Sequence, residues 1–202
     1  MLLSMLLSGT GALHAASPVR ETIASGGELE LPTPNGWKSR CFFGPGDHDW
    51  SVTLTPTNGA HARCRFTFAP LRENFPDADK LREGLLQRCR EFVPTSVEKE
   101  ARLHSLKLTR GFGFYCVLTD ARLVGQPSPA DDYKVMVVAA MKVASREIAV
   151  MTLMCDDADG PEMKATLDAV EQMKFHGSGG LTPPKDWPIN PWLRLVYLLK
   201  NW

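Results

Sequence analysis

Hydrophobic and polar residues alternate along two segments in the first third of the chain. Residues 50–56 read WSVTLTP and residues 61–68 read HARCRFTF, and in both segments every second residue is apolar. This period of two is typical of strands that bury one face. The dipeptide Asn58-Gly59 between them favours a tight hairpin turn. The pattern therefore predicts a pair of antiparallel, half-buried strands.

Two later segments change to a period of three or four. One extends from Asp77 to Val93 and is followed by Pro94, and the other begins at Pro161 and extends to Gly177. Their apolar stripes consist of Ala78, Leu81, Leu85, Cys89 and Phe92, and of Met163, Leu167, Val170 and Met173. Such stripes predict two amphipathic helices that each pack one side on the core.

Further strands are predicted before and between the helices. Residues 28–43 favour two short strands around a turn, and four strand segments lie between the helices at 101–109, 113–123, 133–143 and 147–155. The last two are apolar at nearly every position, as strands covered on both faces are. We therefore expect an α+β domain over residues 28–176, with an antiparallel sheet of about six or seven strands and two helices packed on it as an α-β-α sandwich.

The segment LELPTPNGWK, from Leu29 to Lys38, carries a family resemblance. A leucine-proline pair followed by glycine-tryptophan near the first strand resembles the PsbP/DcrB-like superfamily, and Pro34 and Asn35 make the spacing looser than its plainest form. The resemblance covers about Glu28 to Phe175. It implies an α-β-α sandwich, often exported, that acts as a non-enzymatic binding or assembly module and brings no catalytic residues.

Residues 1–16 carry no acidic or basic side chain and combine a short apolar run with small residues. They resemble a secretory signal peptide cleaved near Ala15 or Ala16, although no basic residue precedes Arg20. The alternative is a buried N-terminal helix. The signal peptide predicts an exported protein of the periplasm or cell envelope.

Residues 177–202 form a distinctive tail. Residues 177–187 combine glycine and serine with prolines and predict a linker, and residues 188–202 favour a short apolar helix with Asn190 as N-cap and Pro191 as first helical residue. A helix of about twelve residues is roughly 18 Å long, well short of the roughly 30 Å needed to cross a bilayer. The candidate binding residues are Trp187, Trp192, Leu195, Leu199 and Trp202.

Three interpretations of this helix stay open. It folds back on its own domain, it inserts into a membrane interface that suits its tryptophans, or it fills a groove on a partner protein. The partner predicted from the tail is accordingly a protein or a membrane surface.

Charge and cysteine content narrow the function classes. The chain has 23 lysines and arginines against 23 aspartates and glutamates, which argues against nucleic acid as a partner. In an oxidising compartment its cysteines favour up to two disulfides among Cys41, Cys64, Cys116 and Cys155, with Cys89 as a buried thiol on the first helix. The alternative is that all five are core thiols.

Motifs for catalysis and for cofactors are absent from the sequence. No paired cysteine or histidine motif indicates a metal, and the acidic turn at residues 156–160 lacks the ligand pattern of a calcium loop. We therefore predict no cofactor, no metal site and no catalytic residues. A weak candidate for a polar site is the turn that contains Asp47, His48 and Asp49.

These observations favour a non-enzymatic exported module that binds a protein or a membrane surface. One alternative is a periplasmic immunity protein that neutralises a toxin. The other is a small-ligand carrier or a cysteine-dependent enzyme that uses a pocket between sheet and helix, with His104 and Cys116 on neighbouring strands as its candidate residues.

Overall fold

The computed structural model describes residues 17–22, 27–43, 50–70, 77–130, 132–144 and 147–176. Three predicted features lie outside these residues: the signal peptide at 1–16, the turn with Asp47, His48 and Asp49, and the whole tail at 177–202. The linker, the apolar helix and all five candidate binding residues belong to that tail, so these predictions stay predictions.

Within the described residues, ten strands form two antiparallel sheets. The strands are β1 Val19–Thr22, β2 Glu28–Leu31, β3 Trp37–Phe43, β4 Trp50–Pro56, β5 Arg63–Pro70, β6 His104–Leu106, β7 Phe112–Thr119, β8 Val135–Ala144, β9 Glu147–Cys155 and β10 Lys174–His176. The larger sheet has seven strands in the order β3-β4-β5-β9-β8-β7-β6, and the smaller has three in the order β1-β2-β10. The predicted antiparallel sheet is therefore confirmed, and β9 with β8 lies in its interior.

One helix covers each face of the large sheet. Helix α1, Ala78–Arg90, begins at Asp77, whose side chain accepts a hydrogen bond from the Lys80 backbone N–H at 3.0 Å. It packs through Leu81 and Leu85 against one face, which we call the α1 face. Helix α2, Pro161–Glu171, packs on the opposite α2 face. The α-β-α arrangement is thus confirmed, and no helix among the described residues is long and apolar enough to cross a membrane.

The small sheet was not predicted. Helix α2 ends at Glu171 rather than at Gly177, and the residues after it form β10, which pairs with β2. Met173 lies three residues after Val170, as a helix would require. It also lies two residues before Phe175, as a strand would require, and all three side chains are buried. The apolar stripe therefore spans a helix and a strand, and the sequence pattern alone does not separate them.

The cysteines require a second correction. No disulfide joins the cysteines in the described part of the chain, whereas their strand positions predicted up to two. Cys89 is buried as expected, and it lies with Cys116 in the core cluster beneath α1. This placement depends on where α1 crosses β7, which a sequence pattern does not specify.

Candidate functional site

A groove of about 370 Å³ lies beside the last turn of α1, on the α1 face of the sheet. Its base is formed by β5, β9 and β8, and one wall is formed by the end of α1. Three arginines line it, Arg63, Arg65 and Arg88, and we call it the arginine groove. The groove lies beside α1 because, among the described elements, the contacts of this helix with the sheet are mainly with β7 and β8 rather than with β5.

The strand register explains how arginines and apolar side chains meet in this groove. Arg63 on β5 lies opposite Met154 on β9, which in turn lies opposite Met136 on β8. Arg65 begins the neighbouring row, followed by Thr152 and Val138. Each row therefore begins with a guanidinium on β5 and ends on an apolar side chain on β8.

The apolar floor combines firm and adaptable positions. Val150 is fully buried and Val138 is 5% exposed, whereas Met136 and Met154 are half-buried. Methionine side chains are unbranched and polarizable, so they adapt to ligands of irregular shape. The floor can thus accept an apolar group without opening the core below it.

Arg88 and Phe92 form the wall at the end of α1. The Arg88 guanidinium lies 4.5 Å from the centroid of the Phe92 ring and pairs with Glu91. Its side chain is only 12% exposed. Arg88 is therefore held in place by the ring and the carboxylate, whereas Arg63 and Arg65 on the facing side are exposed.

Charge in the groove is one-sided. Among the described residues that line it, there are three arginines and no carboxylate. Arg65 donates a hydrogen bond to the Ser51 hydroxyl on β4 at 3.3 Å, which orients its guanidinium on the sheet. A positive field above an apolar floor is suited to a ligand that carries both a negative charge and an apolar body.

Tyr133 closes the far end of the groove and is supported by a polar network. Its ring stacks on His61 at 4.3 Å between centroids. The Nδ1 atom of His61 lies 3.1 Å from Oδ2 of Asp156, and the Ser128 hydroxyl donates to Oδ1 of the same carboxylate at 2.6 Å. Burial works to raise the pKa of Asp156, but the hydrogen bonds from Ser128 and His61 outweigh it and hold the pKa below its ordinary value.

The serine, aspartate and histidine of this network do not form a nucleophilic triad. Ser128 donates to the carboxylate rather than to the imidazole, and Nε2 of His61 lies 3.2 Å from the carbonyl oxygen of Ala130. A triad requires the imidazole to accept the proton of the hydroxyl. The arrangement instead joins three segments, the β4–β5 connection, the β7–β8 connection and the residue after β9, and it supports the Tyr133 wall.

His104 and Cys116, the candidate pair of the carrier or enzyme alternative, do not meet. His104 stacks on Tyr115 at 5.0 Å, and Cys116, the next residue of β7, points to the opposite face and is fully buried. His104 instead lines a separate depression of about 530 Å³ with Glu98 and Arg102. This depression has charges of both signs and a single apolar lining residue, Val117.

The remaining chemical candidates among the described residues are buried thiols and scattered metal-ligating side chains. Burial raises the pKa of Cys155 to about 11 and raises the pKa of Cys64 as well. Across the described ranges no group of three or more His, Cys, Asp or Glu side chains is placed to hold a metal ion.

The sequence interpretation missed the arginine groove. Arg63 and Arg65 alternate with the apolar residues of β5, and they were treated as its solvent face. The sequence does contain one signal, two arginines at adjacent same-face positions of a single strand. It does not show that β5 lies next to β9, which supplies the apolar floor, because that depends on the strand order.

The architecture defines an α+β protein with an antiparallel sheet between two helices. No family model matches the chain, and no curated protein matches it either. Among solved structures, the chain is similar to the solution structure of cyanobacterial PsbP (CyanoP) from Synechocystis sp. PCC 6803. That match has 14% sequence identity and a TM-score of 0.44, and it covers 86% of this chain and 98% of the other.

Proposed function

We propose that this protein is a non-catalytic, exported binding module that holds an anionic partner in the arginine groove. The observation that carries the proposal is that the charged residues lining the groove are all positive. They are Arg63, Arg65 and Arg88, and no carboxylate is among the described lining residues. Guanidinium groups bind carboxylates and phosphates through paired hydrogen bonds. Arg88 is already paired with Glu91, so the anion would be bound mainly by Arg63 and Arg65 on β5.

Three features support binding rather than catalysis. The thiols of Cys64, Cys116 and Cys155 are buried, and burial raises the pKa of Cys64 and Cys155. The neighbouring Cys89 lowers the pKa of Cys116, but this thiol lies in the core on the face opposite to His104. Ser128 donates to the Asp156 carboxylate, and His61 contacts that carboxylate rather than the hydroxyl. The described groove lining has no histidine, carboxylate, lysine or cysteine, and its tyrosine, Tyr133, stacks on His61.

The arginine groove lies between the sheet and α1, where the small-ligand alternative expects a pocket, but neither His104 nor Cys116 lines it.

The second part of the proposal concerns the tail. Residues 188–202 would contact a protein or a membrane surface. Export and the toxin-neutralising alternative rest on the sequence pattern alone.

The test is native mass spectrometry of the full chain recovered from the envelope fraction of expressing cells. The wild type and Arg102→Gln, a matched control on the exposed Arg102–Glu100 pair outside the groove, should carry the same bound anionic species. The double variant Arg63→Gln/Arg65→Gln should lose it. Equal occupancy in all three proteins would contradict the proposal. So would conversion of the bound species into a different compound during incubation, since that would indicate catalysis.

A further inference from the structure

We infer that the ligand of the arginine groove is a small amphiphilic carboxylate, with its head at Arg63 and Arg65 and its apolar body on the methionine and valine floor. This inference rests on the proposed function, because it names the chemistry of the anion that the groove binds. It assigns a site and a ligand class to a part of the sheet that no sequence motif marks.

The two exposed arginines suit a single carboxylate. Arg63 and Arg65 are two positions apart on β5, so they project from the same face about 7 Å apart. Long side chains at that spacing can converge on one anion between them. The Ser51 hydroxyl, 3.3 Å from Arg65, restrains one of these side chains before the ligand arrives, and a restrained donor loses less freedom on binding.

The apolar floor begins directly beside the arginines. Along one row a ligand would pass from Arg63 to Met154 and then to Met136, from charge to apolar contact within three neighbouring strands. Phe92 and Tyr133 flank this path as half-buried rings. A bare inorganic anion would make no contact with the floor, and a neutral apolar compound would make no charged contact with Arg63 and Arg65.

The size of the groove favours a small molecule over a protein surface. A volume of about 370 Å³ lies at the lower end of the range of roughly 300–1,000 Å³ for small-ligand sites. A medium-chain carboxylate fits a site of this size, with its chain over Met154, Met136 and Val138. The ligand is therefore a small carboxylate of this kind rather than a folded protein.

The binding test uses decanoate as probe, titrated calorimetrically into the full chain below its micelle concentration. Decanol serves as the neutral analogue, and acetate and inorganic phosphate serve as anions without an apolar body. Decanoate should bind at least about tenfold more tightly than each of the three, because only decanoate engages both the arginines and the floor.

Variants separate the head from the floor. Arg63→Gln/Arg65→Gln should weaken decanoate binding by about tenfold or more and leave decanol unchanged, since only the head contact is lost. Met136→Gln/Met154→Gln changes two half-buried side chains and should weaken both decanoate and decanol. Arg102→Gln should change neither, and near-UV circular dichroism confirms that each variant is folded.

Each failure has its own meaning. If phosphate binds more tightly than decanoate and the arginine double variant abolishes it, the amphiphile inference is wrong and the anion-binding function stands. If decanoate binds equally to the wild type and the arginine double variant, Arg63 and Arg65 do not bind its carboxylate and the inference is wrong. If none of the probes binds and no anionic species is recovered from the envelope, both proposals are wrong.

Discussion

The imidazole Nδ1 of His61 lies 3.1 Å from Oδ2 of Asp156, and this contact joins the β4–β5 connection to the residue that follows β9. Ser128 adds a third segment to the same carboxylate. Because His61 also stacks on Tyr133, the network fixes the wall that closes the arginine groove.

Asp156→Asn should therefore destabilise the fold in a pH-dependent way. The pKa of Asp156 is lowered in the folded state, so its contribution is present above the ordinary aspartate pKa of about 3.9 and is lost as the pH falls through the lower folded pKa. The side chain is 36% exposed, so we expect a loss of only about 1 kcal/mol at neutral pH. Urea unfolding at neutral pH and below about pH 4 should show the difference from wild type shrinking with acid.

The matched control for this variant is Asp159→Asn, an exposed carboxylate of the same acidic turn. It should change the unfolding free energy little at either pH. A loss in Asp156→Asn that stays constant from neutral to acidic pH would contradict the role given to its carboxylate.

Gly111→Ala should lower the free energy of unfolding by more than the cost of backbone strain alone. Gly111 has a φ of +85°, and an added Cβ would lie 1.8 Å from the carbonyl oxygen of Lys142 on β8. Left-handed strain in an L-residue costs at most about 2 kcal/mol. We therefore expect the free energy of unfolding, measured in urea, to fall by more than this amount. Gly125→Ala, with a φ of +72° and nothing within 4 Å, should show the strain alone. Equal losses in the two variants would show that the contact with Lys142 relaxes at no cost.

Cys155 should react with iodoacetamide only after unfolding. It is 1% exposed, and burial raises its pKa to about 11, so almost no accessible thiolate exists near neutral pH. Peptide mapping by mass spectrometry should find Cys155 unmodified in the native protein and fully modified in denaturant. Native labelling at the rate of the unfolded chain would show that the end of β9 is open to solvent.

Deletion of residues 181–202 tests the three interpretations of the tail. If the apolar helix acts outside its own domain, the shortened protein keeps its melting temperature and loses binding to its protein partner or to lipid vesicles. Scanning calorimetry and vesicle sedimentation of both proteins measure these two properties. Aggregation or a much lower melting temperature in the shortened chain would favour a helix that covers its own domain.

The sequence predicted those elements in which one periodicity persists over a whole segment. Strands β4 and β9 begin and end where the pattern placed them, because alternation in one and a continuous apolar run in the other contrast with the turns around them. The buried stripe of α1 was predicted for the same reason, with Leu81, Leu85 and Cys89 fully buried.

The rest depended on contacts between distant segments. Strand β10 follows α2 with the same apolar spacing, and only its pairing with β2 makes it a strand. The β6 segment was predicted at 101–109 and forms a ladder only over His104–Leu106, at the edge of the sheet. The arginine groove arises in the same way, since Arg63 and Met154 meet through the pairing of β5 with β9.

The central claim, that the arginine groove binds an amphiphilic anion, is tested most directly by methyl NMR of the methionines. With methyl-labelled methionine in the full chain, titration with decanoate should shift the Met136 and Met154 signals, which lie on the groove floor. The Met151 and Met163 signals should stay in place, because both side chains belong to the core of the α2 face. Unchanged Met136 and Met154 signals, or shifts at Met151 and Met163 instead, would contradict the account.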